Sequence, residues 1–345
     1  MGAEAEQQQD PSSLRASREA APAVLGLQLS ALIDHVARVD WSLLDRVPGD
    51  RGGSQQVSIE ELNHILTEVN AHILPSRDDL SPITTIAGGS VANTIRGLSA
   101  GFGISTGIIG ACGDDNQGLL FVNNMSFSGV DLTRLRAKKG HTAQANEFRK
   151  EDFKGSKWLV VRYAQQNMEQ IFEAIRIAKQ ESLSVSLDLA SFEMVRGYRS
   201  QLIDLLETGN IDLCFANEDE ARELIGGGLA SDPEEALAFL GKYCKWAVVT
   251  LASKGCIAKH GKQVVQVPAI GESNAVDATG AGDLFASGFL YGLVKGLPLE
   301  ECCKVGACSG GSVVRALGGE VRPENWQWMY KQMHARGLLL PVLKN

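Results

Sequence analysis

The chain predicts an α/β fold: a doubly wound, mostly parallel sheet with helices on both faces. Two observations carry this expectation. From Trp158 onward, short apolar runs alternate with helix-length amphipathic segments, the pattern of successive β–α–β units. Those runs end in polar residues, with Asp188, Asn217 and Thr250 at the predicted strand ends, the edge where such sheets bind ligands.

Taken in order, residues 1–21 read as a disordered tail, with three consecutive glutamines, mixed charges and no periodicity. Residues 22–345 read as one domain. Residues 24–29 are an apolar strand expected to run on to Asp34. A charged, glycine-rich loop at 48–54 precedes an amphipathic helix over 59–73. Residues 158–163 form a strand, 168–180 a helix, 185–188 a strand and 200–206 a helix. Residues 211–216 are again a strand, and 218–225 a helix closed by three glycines. A helix over 234–243 and a strand over 246–251 continue the alternation.

Composition excludes several classes. At 345 residues and 44% hydrophobic, the chain can bury a sizeable core as a single sheet. Its net charge of −8 argues against nonspecific nucleic-acid binding, which needs a basic face. Phosphate affinity must then come from local backbone amides and a metal rather than from the overall field. No apolar run reaches the ~18 residues of a membrane span, and the polar start lacks a signal core. The seven cysteines show no zinc spacing and read as small hydrophobes of a reduced, cytoplasmic protein.

The most informative string is Asp277, Ala278, Thr279, Gly280, Ala281, Gly282 and Asp283, followed by an apolar-periodic run over 284–293 that reads as a buried helix. Gly280 and Gly282 let backbone amides crowd around an anion, and the helix behind them adds its positive end. Asp283 stands where a carboxylate could take a proton from a hydroxyl; the plain alternative is that it only complements the helix dipole.

The same string resembles the C-terminal signature of the PfkB/ribokinase family, whose members move the γ-phosphate of ATP onto an alcohol. Further segments agree in order over residues 24–325. Ala87, Gly88, Gly89 and Ser90 through Thr94 resemble the family's first Gly-Gly segment, and Gly110 to Asp115 with Gly118 its next glycine-rich turn. Asn217 to Glu220 matches its N-x-x-E element, and Val249 to Gly255 resembles its nucleotide-side strand and turn. Adenosine-kinase-like members are the most similar, judged from the Asp34 region and the strand end at Asp188.

The resemblance implies a ribokinase-like fold with a small β lid, its elements near 24–57 and 140–150. It implies Asp283 as the base, with the amides of Gly280, Ala281 and Gly282 as an anion hole. Asp34, Gly88, Gly89 and Asn93 would clamp the hydroxyls of a sugar or nucleoside. A solvated turn at Asp34 and His35 is the alternative. Thr250 and Gly255 would border ATP, and Gly318 and Gly319 would lie beside its adenine. Glu220, with Asn217, would hold hydrated Mg²⁺, although the pair also spells a helix-capping box. A monovalent cation such as K⁺ is implied near Asp277 and Thr279.

Three departures stand out. Leu29, Ser30 and Ala31 occupy positions where nucleoside-kinase relatives tend to carry Gly-Asn. Ala252 replaces a glycine. After Gln144 the chain runs almost directly into Trp158, where relatives insert a further hairpin, so the lid is expected to be truncated. A truncated lid leaves a catalytically weak nucleotide-binding partner or regulatory subunit as the second class of function, and an open strand edge that invites a homodimer.

Overall fold

A computed structural model describes residues 21–47, 57–74, 83–139, 142–164, 167–189, 191–226, 232–271, 273 and 275–343. The expectations for residues 1–20 and for the 48–54 loop lie outside these residues. The strands are β1 (Val24–Gln28), β2 (Leu32–Ala37), β3 (Ile83–Gly88), β4 (Thr106–Cys112), β5 (Leu135–Ala137), β6 (Trp158–Arg162), β7 (Ser184–Asp188), β8 (Leu213–Asn217), β9 (Trp246–Thr250), β10 (Cys256–His260) and β11 (Gln263–Val267).

Nine of them form one sheet in the order β11-β10-β9-β8-β7-β6-β1-β4-β5. Pairing is parallel from β9 through β5, and β10 and β11 join antiparallel at one edge. The order reverses at β1, which lies between β4 and β6, and such a switch point opens a crevice at the carboxyl ends of the strands. Five parallel strands end there in polar residues: Gln28, Arg162, Asp188, Asn217 and Thr250.

Strand alternation divides the core between the two faces. Leu25, Leu27, Leu159 and Val161 pack with Ile171, Leu202 and Leu237 from the helices Met168–Gln180, Arg199–Glu207 and Pro233–Tyr243. Val24, Trp158 and Val160 face the other way, onto Ile95, Phe121 and Phe289 from Ser90–Phe102, Asn116–Phe127 and Ala281–Val294. Both faces are therefore covered, as the hydrophobic runs require.

The remaining two strands, β2 and β3, pair antiparallel as a separate lid, with Asp34 opposite Ile86 and Leu32 opposite Gly88. The strand expected to run from residue 24 to Asp34 is thus two strands. All five residues of β1 are buried, whereas β2 is half exposed and cannot continue through the core. Between them the Gln28 amide donates to Ser30 O at 2.7 Å and Ala31 N to Ala111 O at 2.8 Å, turning the chain out of the sheet. Of the stretch 140–150, the described residues hold no strand: Thr142 bridges Ser30, and Ala145–Glu147 and Lys150–Phe153 are single helical turns.

The helix Ala281–Val294 anchors the site to the sheet through its aromatic side. Phe289 is fully buried, and its ring meets Phe215 edge-on with centroids 5.5 Å apart. Phe289→Ala is expected to cost about 3–5 kcal/mol of stability, read as the shift in urea midpoint; a loss near zero would mean that the helix is held elsewhere.

Candidate active site

The helix Ala281–Val294 opens on Gly280, which lies in the left-handed region (φ +76°) and leaves the first turn without a side-chain cap. The Ala281 amide is taken by Ala278 O at 3.1 Å, while a Cβ added at Gly282 would meet nothing within 4 Å, so the turn borders open space at Gly282. A helix start of this kind offers its positive end to an anion.

Asp283 sits in that first turn and is fixed from several sides. Asn93 Nδ2 donates to its Oδ2 at 2.9 Å. Thr94 Oγ1 donates to its carbonyl at 3.2 Å, and Ser287 Oγ reaches both that carbonyl and Thr94 O at 2.9 Å. Burial, reinforced by the charge of Asp188, pushes the Asp283 carboxyl up to about 6, against the pull of Asn93, Arg162 and Ser90. A carboxylate in that range serves as a base near neutral pH.

Asp283 shares a cavity of about 140 Å³ with Ser90, Asp188, Asn217, Glu220, Thr250 and Gly282. Asn217 and Glu220 do form the capping box: Asn217 N donates to Glu220 Oε2 and Glu220 N to Asn217 Oδ1, both at 2.8 Å. Glu220 is only 5% exposed, and burial together with Asp188 pushes its carboxyl up to about 8. That geometry suits an incoming cation, whose charge would hold the carboxyl ionised. Among the described residues no three His, Cys, Asp or Glu side chains gather as a metal cage. A single buried carboxylate at the rim of a polar cavity suits Mg²⁺, which keeps waters and takes phosphate oxygens.

A second, apolar cleft of about 270 Å³ adjoins the first, lined by Ala252, Gly255, Ala281, Phe285, Gly311 and Val314 among others. Thr250 and Gly282 line both spaces. Ala252 keeps a left-handed conformation (φ +49°), so the turn retains the shape a glycine would adopt freely, at the cost of strain.

On the lid side, the Asp34 carboxylate lies directly over Gly88, where a Cβ would come within 2.1 Å of Oδ1. Gly88 is therefore required by close approach. Burial raises the Asp34 carboxyl, opposed by Arg96, His35 and Arg162. Gly89 starts the helix that carries Asn93.

Gly318 and Gly319 do not lie beside the apolar cleft, where the adenine loop was expected. Gly318 faces Val36 and Ile86 of the lid, and Gly319 packs on Asn93. Asp277 causes this placement: its Oδ2 accepts from Gly318 N at 2.8 Å and its Oδ1 from Thr279 N and Oγ1 at 3.0 and 2.8 Å. At the expected monovalent-cation position Oδ1 thus closes the Asp277–Thr279 turn, and Oδ2 ties that turn to the Gly318 loop.

The sequence motifs bring together Asp283, Asn217, Glu220 and Thr250, with Ser90 inside the Gly-Gly segment, but miss Arg96 and Arg162. Only Arg96 left a signal, standing one helical turn beyond Asn93.

The pattern of the pfkB family carbohydrate kinase matches residues 65–325. The chain belongs to this family, and it is a kinase. It is 34% identical over 86 residues to a nucleoside kinase of Methanocaldococcus jannaschii, a match covering 25% of this chain and 28% of that protein. An uncharacterized sugar kinase of Archaeoglobus fulgidus is 26% identical over 234 residues, covering 61% and 91%. The adenosine kinase structure from Sinorhizobium meliloti superposes with a TM-score of 0.76 at 26% identity, covering 92% of this chain and 99% of that one.

With Asp283 as the base, kcat/KM should fall as pH drops below about 6, where the carboxyl takes up its proton. Asp283→Asn should abolish that acid limb and lower kcat by about 10²–10⁴-fold with ATP binding retained. A variant keeping more than about half of the wild-type kcat would remove Asp283 from the chemistry.

Proposed function

We propose that this chain moves the γ-phosphate of ATP onto a hydroxymethyl group, with an adenosine-like nucleoside as the favoured acceptor and free sugars as the second choice. The observation that carries this reading is the pair of joined spaces. An apolar cleft suited to a purine meets a polar cavity at Thr250 and Gly282, and Asp283 stands at the far side of the junction.

In this reading ATP lies with its base against Ala252, Gly255 and Val314 and its phosphates over Gly282. The amides that open the helix Ala281–Val294 hold the oxygens of the transferring group. Asp283 takes the proton of the acceptor hydroxyl as that oxygen bonds to phosphorus and the bond to ADP breaks. Glu220, with Asn217 behind it, would hold hydrated Mg²⁺, which neutralises phosphate charge when bound.

Asp34 gives the acceptor its identity. Two carboxylate oxygens over a bare Gly88 suit two vicinal hydroxyls, as on ribose, with Asn93 and the backbone at Gly89 completing the clamp. The match to a nucleoside kinase supports the same acceptor class. The seven cysteines, all buried and unpaired, support a reducing, cytoplasmic setting. No helix among the described residues is long and apolar enough to cross a membrane.

One observation favours a weaker enzyme. Among the described residues the lid has two strands only, and the segment from Ala143 to Phe153 goes straight back toward the sheet. Such a lid excludes water poorly and leaves strand edges on which a second copy of this chain could pair.

The test is ADP release with a panel of nucleosides and sugars. Ribonucleosides should outpace free sugars, and a 2′- or 3′-deoxy analogue should lose at least about 10²-fold in kcat/KM because it leaves Asp34 unpaired. Measurable ATP hydrolysis without acceptor should accompany transfer and fall when a hairpin is spliced between Gln144 and Ala145. Equal rates with deoxy and ribo acceptors would overturn the assignment of Asp34; hydrolysis unaffected by the hairpin would show the short lid to be competent.

A further inference from the structure

The helix Ser90–Phe102 carries a second buried charge that the transfer chemistry above leaves unused. Arg96 is 4% exposed. Its Nη1 donates to Ala87 O at 3.0 Å and to Asn124 Oδ1 at 2.7 Å. Its Nη2 donates to Asn93 Oδ1 at 2.7 Å and to Gly319 O at 3.1 Å. All four acceptors are neutral. Burying a guanidinium on neutral partners is expensive, and apolar side chains would fill the space at lower cost.

The partners show what the arginine does. An amide side chain has one accepting and one donating end. With Asn93 Oδ1 taken by Arg96, the Nδ2 end must point at Asp283, where it donates to Oδ2 at 2.9 Å. A flipped amide would set its NH₂ against the guanidinium and its oxygen against the carboxylate, losing both bonds. The other two contacts reach outward. Ala87 lies in β3, the lid strand, one residue before Gly88 on which Asp34 rests. Gly319 belongs to the loop that Asp277 holds through Gly318.

We propose that Arg96 is a positioning residue for phosphoryl transfer: it locks Asn93 in the orientation that donates to Asp283 and ties that orientation to the lid strand and the Gly318–Gly319 loop. The proposal rests on the kinase reading. It makes the geometry of the base depend on the seating of the lid, since the same guanidinium holds both. The charges in reach of Arg96 are Glu320, Asp34 and Asp283. Asp283 itself is faced by Asp188 and Arg162 from neighbouring strand ends and by Asn93 and Ser90 from the Arg96 helix.

Arg96→Met keeps bulk but removes charge and donors, whereas Arg96→Lys keeps charge but cannot serve four acceptors. The full chain and both variants are compared for kcat and ATP KM with the best acceptor. The Asp283 carboxyl is also titrated by ¹³C NMR, its signal assigned with Asp283→Asn. Both variants should lose about 10–10²-fold in kcat with ATP KM near wild type, as expected for a misaimed base. Removing the cation and the oriented donor disfavours the carboxylate, so the Asp283 midpoint should move to higher pH in Arg96→Met and return most of the way in Arg96→Lys.

Wild-type kcat in Arg96→Lys, or an unmoved midpoint in Arg96→Met, would overturn the proposal. Should Arg96→Met fail to fold, kcat of the lysine variant decides. Absence of transfer by the wild-type chain would instead sink the kinase reading, while the titration would still decide whether Arg96 orients Asn93 toward Asp283.

Discussion

The active edge is built around like charges buried together. Asp188, Glu220 and Asp283 come from three different elements and line one cavity of about 140 Å³. Carboxylates out of water repel, and burial together with the charge of Asp188 lifts Glu220 and Asp283 well above their ordinary range. Such a cluster persists because protons, the arginines and the open helix end share the load. Each of those compensations would also serve the proposed transfer. A raised carboxyl is a base near neutrality, an uncapped helix start holds phosphate, and a carboxylate short of cations favours Mg²⁺.

The lid is built on a different constraint, close approach. Asp34 can lie over β3 only because Gly88 has no Cβ, and Gly318 brings the C-terminal loop against Val36 and Ile86 of the same strands. Acceptor side and phosphate side are thus separate constructions, joined at Asn93. That residue bonds Asp283 with one end of its amide and Arg96 with the other. Near the connection after Gln144 the chain stays tied to the end of β1, since Ala143 N bonds Leu29 O at 2.9 Å before the descent toward β6.

Much of this was legible in the sequence. The helices Met168–Gln180 and Glu218–Ile225 have the bounds their periodicity predicts, since each carries a clear apolar stripe and, in the second, a capping box. The helix Leu299–Val313 was not legible. It is buried almost all round and contains Gly306 and Gly310, small residues that let it lie against Ala281–Val294, and Gly311, which meets Ile270 and Trp328. Packing overrides propensity there, and no polar face marks the period. The break between β1 and β2 was hidden for the opposite reason: both halves are apolar, and only burial tells them apart. At the site, motif residues were readable because they recur as strings. Arg96 left only its helical spacing from Asn93, because its contacts run among β3, two helices and the Gly319 loop. The contact of Gly318 with the Asp277 carboxylate and with Val36 and Ile86 of the lid was likewise not legible, because it joins segments far apart in the chain.

The central claim is that one nucleotide spans the two joined spaces and presents its terminal phosphate to Asp283. A crystal structure of the chain with a nonhydrolysable ATP analogue and Mg²⁺ tests it most directly. The account predicts the adenine between the Ala252–Gly255 turn and Val314, with the terminal phosphate within hydrogen-bonding distance of the amides of Gly282 and Asp283. A nucleotide lodged under the lid at Asp34, or a terminal phosphate away from the start of the helix Ala281–Val294, would contradict it.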